Sequence, residues 1–190
     1  MQRSGLLTTS SQNMDLNIKN YTSTVAVSQT IARIEAKLAA AGASEIVKIY
    51  GPDQSVWALR FKLNFEGRIF TVQLPADADA CFQTMWRQHN LKSRRVHSSA
   101  KARIKDQALR TAWKLVQDWV DVQISLIVMK QAEWLQVFMA YLYDGNSGQT
   151  YYQLTKSGGF KQLPWHSDQG LNSGDLADAM MGGNGPIPRA

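Results

Sequence analysis

One cysteine, Cys81, stands among 190 residues, so neither an internal disulfide nor a multi-thiolate metal site can form, and a reducing, intracellular setting is expected. The three histidines, at positions 89, 97 and 166, share no short ligand spacing and have no carboxylate partners in a recognisable metal pattern. Long hydrophobic runs are missing too. The longest charge-free apolar run of the central region, Val122 to Met129, is far short of the roughly 20 residues that a bilayer requires. The opening MQRSGLLTTSSQNMDLNIKN lacks the apolar centre of a secretory signal and reads as a disordered leader over 1–19, with Met14 as an alternative start.

The signatures of catalysis are equally scarce. There is no G-x-S-x-G elbow and no G-x-G-x-x-G after a strand, and Lys156-Ser157-Gly158-Gly159 is only a reversed echo of a phosphate loop. Cys81 beside Phe82 reads as a small core residue. Asp77/Asp79 suit the start of a helix, where carboxylates meet the positive end of its dipole, and Asp118/Asp121 suit a solvated helix side. The expectation is a protein with no catalytic residues, no bound metal and no cofactor.

What is present begins with a stretch free of glycine and proline, Lys101 to Tyr143. Within it Leu109, Trp113, Val116, Val120, Ile124 and Ile127 recur at steps of three and four, with Ala112, Trp119 and Leu126 as a second line, which predicts a long helix with a broad apolar face. Arg110, Lys114, Asp118, Asp121 and Lys130 fall on its opposite side. Upstream, Tyr21–Val27 reads as a β-branched strand. Ser28 is the expected N-cap of a helix lined by Ile31, Ile34, Leu38 and Ala41 and stopped by Gly42. Strands follow at Glu45–Tyr50, Val56–Phe65 and Arg68–Leu74, the last two joined by a tight hairpin at Glu66-Gly67, with Thr71 and Gln73 facing solvent. A helix opened by Asp77 and Asp79 should fray near His89-Asn90. The next should start at Ser98 or Ser99.

The predicted fold is α+β: an antiparallel three- to four-stranded sheet covered by helices, with one long C-terminal helix. Residues 20–143 form the single domain, 144–165 a docking loop and 166–190 a disordered tail.

The phrases YTSTVAVSQTIARIEAKLAAAGA, FTVQLPADADA, AWKLVQDWVDVQISLI and EWLQVFMAYLY, in this order, resemble a group of small proteins encoded by bacteriophages, prophages and other mobile elements. The resemblance covers about Asn20 to Tyr152 and carries no catalytic motif. It implies a phage or mobile-element origin, and together with the reducing setting expected from the single cysteine the expected location is the host cytoplasm. A topological similarity also links Ser28–Gln88 to the double-stranded RNA-binding domain, but that family opens its second helix with lysines where this chain has PADADA.

The net charge of +6 is confined to one segment. Between Leu91 and Lys114 the cations Lys92, Arg94, Arg95, Lys101, Arg103, Lys105, Arg110 and Lys114 face one acid, Asp106. Cations on a loop and on the first turns of a helix suit phosphate oxygens, giving sequence-independent, salt-sensitive affinity for DNA or RNA. The functional expectation is a non-enzymatic phage accessory protein that binds nucleic acid through these residues. Two alternatives stand beside it. One is a protein-interaction module that inhibits a host defence or housekeeping protein through Trp134, Tyr151, Tyr152 and Trp165; the other is a minor virion component.

Overall fold

The computed structural model describes residues 18–92 and 98–159. The fold is α+β, with a three-stranded antiparallel sheet in the order β1-β2-β3 and a separate two-stranded one. β1 is Ser44–Tyr50, β2 is Val56–Phe65 and β3 is Arg68–Pro75. β2 and β3 pair from Ala58↔Pro75 to Phe65↔Arg68, so only Glu66 and Gly67 span the turn. Both have positive φ, 51° and 75°, and this doubly left-handed turn matches the twist of the strands it joins.

Alternation along β2 does the rest. Leu59, Phe61 and Leu63 stand opposite Leu74, Val72 and Phe70, and together they make one apolar face. Helix α1 (Val27–Ala40) lays Ile31, Ile34 and Leu38 in the same core. Helix α3 (Ser98–Val128) is 31 residues long, about 46 Å at 1.5 Å per residue, and contributes Ala112, Trp113, Val120 and Ile124. The Trp113 indole N–H donates to the Val56 carbonyl at 3.0 Å, so the one polar atom of this buried ring is satisfied. The first turns of α3 serve a second, smaller core, where Ile104 and Ala108 meet Met85 of α2 (Ala78–Lys92).

The long helix is not continued to Tyr143. It closes at Lys130, where φ is 56° and the N–H groups of Lys130 and Gln131 return to the carbonyls of Ile127 and Leu126. The chain then folds back as α4 (Trp134–Phe138) and a 3-10 turn at Met139–Tyr141. This return buries Phe138 edge-on against Phe61 and Trp119, with ring centroids 5.7 and 5.5 Å apart. Leu142 then makes an isolated antiparallel bridge to Val72, beside β3. A hairpin of β4 (Tyr143–Asp144) and β5 (Gln149–Thr150) follows, and then α5 (Tyr151–Ser157). The body of the protein ends at Gln153, and a second unit begins at Leu154, of which residues to Gly159 are described.

Three expectations are corrected. Tyr21–Val27 is not a strand: its carbonyls at Tyr21 and Ser23 accept from the Gln107 amide, and Asn20 O accepts from Thr111, so α3 side chains take the place of a neighbouring strand. The N-cap of α1 is Ala26 rather than Ser28. Gln73 is buried rather than solvent-facing, because its side-chain oxygen accepts from Arg60 at 2.6 Å while the Arg60 guanidinium lies 3.8 Å over the Tyr143 ring. The expected leader and tail lie largely outside the described residues. Among those described, no helix is long and apolar enough to cross a membrane.

Candidate nucleic-acid interface

The end of α2 and the start of α3 meet at one corner, and the residue types there follow from how the two helices are opened. Asp77 caps α2 by accepting the Ala80 N–H at 2.8 Å, and Asp79 lies in the first turn. From Ala80 to Lys105 there is then no carboxylate at all, while the same stretch holds Arg87, Lys92, Arg94, Arg95, Lys101, Arg103 and Lys105. Arg87, Lys101 and Arg103 are exposed, and none has an ion-pair partner among the described residues. Arg94 and Arg95 lie outside the described residues, as does the Lys92 side chain.

Farther along α3 the expected cations are already matched. Lys105 faces Asp53 at 3.8 Å, Arg110 pairs with Asp106 at 2.9 Å and Lys114 with Asp118 at 3.0 Å. Direction divides the helix cations differently. At 3.6 residues per turn, Lys101 and Lys105 share one side of the helix, whereas Arg103, Arg110 and Lys114 project from roughly the opposite side. Lys105 accordingly reaches the β1–β2 turn, and Lys114 reaches the carboxylate that holds the segment before α1. The eight predicted residues therefore do not form one stripe along the helix. Among the described residues, the predicted cations without an ion pair are Lys101 and Arg103, in the first turns of α3.

Asp118 collects the most donors. The Lys19 amine lies at 2.8 Å and the Asn20 amide at 3.1 Å, in addition to Lys114. Partial burial pushes its carboxyl upward, but the hydrogen bonds from Lys19, Asn20 and Lys114 outweigh it and hold the value at about 2.

Beside the corner, α2 carries a ladder of rings at helical spacing. Phe82 stacks on Trp86 at 6.0 Å with an interplanar angle of 16°, and Trp86 on His89 at 5.7 Å and 22°. Trp86 and Phe82 also lean on the Met85–Ile104–Ala108 core, together with Ile18. Trp86 is covered within the ladder by Phe82 and His89, so the half-exposed end rings, Phe82 and His89, are the ones that could meet the face of an unpaired base.

Arg87 and the ring ladder were not singled out from the sequence. The signal that finds the arginine is the carboxylate-free interval rather than a count of cations. Of the aromatic anchors expected for a protein partner, Trp134 is half-buried and stacked on Phe138, Tyr151 and Tyr152 are exposed but already engaged, and Trp165 lies outside the described residues. Among the described residues no group of histidine, cysteine and acidic side chains could hold a metal ion. No protein-family model, curated protein or solved structure matches this chain.

Proposed function

We propose that this protein is a non-enzymatic, nucleic-acid-binding accessory protein of a phage or mobile element, acting in the host cytoplasm through the α2–α3 corner. The observation that carries the reading is the interval from Ala80 to Lys105, which holds seven cations and no carboxylate, with Arg87, Lys101 and Arg103 exposed and unpaired among the described residues. Phosphate contacts by such side chains release counterions and are blind to sequence. The Phe82–Trp86–His89 ladder favours single strands, whose bases are free to stack. The residues assigned to contact are Arg87, Lys92, Arg94, Arg95, Lys101 and Arg103. Lys105, Arg110 and Lys114 are already paired with Asp53, Asp106 and Asp118 and are left out of the contact set.

Fluorescence anisotropy with short single- and double-stranded DNA and RNA at two salt concentrations tests the reading. Binding at low salt that weakens steeply as salt rises, and is tighter for single strands, is expected. An absence of binding at low salt rejects it.

A further inference from the structure

A groove of about 980 Å³ opens where the β1–β2 turn, the β3–α2 junction and the first turns of α3 meet. Two half-exposed rings line it, Tyr50 and Trp57, the second 40% accessible. Four carboxylates border it, those of Asp53, Asp77, Asp79 and Asp106, against the single amine of Lys105. In a chain of net charge +6 this is a local reversal of sign.

The carboxylates differ in what already occupies them. Asp77 caps α2, and Asp106 is paired with Arg110. Asp53 accepts the Ser55 hydroxyl and backbone N–H, which hold its carboxyl below the usual range, and keeps only a loose 3.8 Å contact with Lys105. Asp79 is exposed and has no hydrogen bond or ion pair among the described residues.

Gly51 shows how the space is kept open. A Cβ placed there would lie 3.2 Å from Asp53 Oδ1 and 3.8 Å from Trp57 Cδ1. Carboxylate and indole therefore flank the same point, and the missing side chain leaves a gap between them. Its backbone φ is not in the left-handed region, so conformation does not demand glycine here. Space is what remains to explain it.

We propose that this groove binds the guanidinium or ammonium side chain of a basic peptide segment on a partner protein, with the cation against the Trp57 ring and Asp53 and Asp79 as counter-charges. A ring face and a carboxylate around one cavity are the two groups that recognise an organic cation. The volume exceeds one side chain and suits a short stretch of peptide. Phosphates are repelled by the same acids, so this site is separate from the polyanion surface proposed for the α2–α3 corner.

The test is isothermal titration calorimetry of the full, nuclease-treated protein with hexa-arginine, hexa-lysine and hexa-glutamate peptides. Saturable binding of the cationic peptides and none of hexa-glutamate is expected, since the protein's overall positive charge works against the first and for the last. Trp57→Leu and Gly51→Ala should each weaken binding about tenfold, the scale of one well-placed cation–ring contact. Asp79→Asn, a change at an exposed side chain, should weaken it severalfold. Arg87→Ala/Lys101→Ala/Arg103→Ala should leave it unchanged. No saturable binding of either cationic peptide overturns the proposal, and so does binding indifferent to both Trp57→Leu and Asp79→Asn.

Discussion

Three donors converge on Asp118, and they come from two parts of the chain that no local pattern connects. The carboxyl is depressed from 3.8 to about 2, so its contribution to stability is fully present above pH 4, declines as pH falls and is gone below about 2. Asp118→Asn should therefore lower stability by about 1 kcal/mol at neutral pH, a figure discounted for the exposed Lys19 amine. In urea unfolding, the gap between this variant and the parent should narrow between pH 5 and pH 2; a gap that stays constant counts against the assignment. Phe138 is the apolar counterpart. Enclosed by Phe61, Trp119 and Trp134, it should cost about 3–5 kcal/mol as Phe138→Ala, measured by the shift in denaturation midpoint.

Two helix ends show what was readable along the chain and what was not. At Gly42, with φ 99°, the N–H groups of Gly42 and Ala43 return to Ala39 and Leu38. At Lys130 the same two bonds form after α3, with a lysine in the left-handed position that glycine occupies at the end of α1. Glycine announces the first end in the sequence. The second is silent, which is why Lys101–Tyr143 reads as unbroken and why the return through α4 was not foreseen. Lys130→Gly should relieve the left-handed strain and raise stability by about 0.5–1 kcal/mol, visible as a higher denaturation midpoint with unchanged helix content. β2 and β3 were legible because period-two alternation along β2 and the Glu66-Gly67 turn agree with each other, and β1 because EIVKIY is rich in strand-forming residues before the Gly51-Pro52 turn. Tyr21–Val27 has strand-like residues as well, but Gln107 and Thr111 on α3 supply the bonds that a strand partner would have made.

Across the whole molecule, the charge excess was legible as composition and only partly as geometry. Sequence counts Lys105, Arg110 and Lys114 with the rest; the i,i+4 spacings of Asp106/Arg110 and Lys114/Asp118 already offer two of the pairings, whereas Lys105 meets Asp53, far away in the chain, only through the fold. The same folding that pairs the cations in the middle of α3 leaves Arg87, Lys101 and Arg103 exposed and without an ion pair among the described residues, and sets a groove bordered by four carboxylates and two rings along the α3 side that carries Lys105.

The division between matched and unmatched cations is tested most directly by comparing two triple variants in the same single-strand titration over a range of salt. Arg87→Ala/Lys101→Ala/Arg103→Ala should reduce the slope of log affinity against log salt by about 2–3, one step for each lost phosphate contact. Lys105→Ala/Arg110→Ala/Lys114→Ala should leave that slope close to the parent's. Equal losses from both variants, or a larger loss from the second, would contradict the placement of the site at the corner.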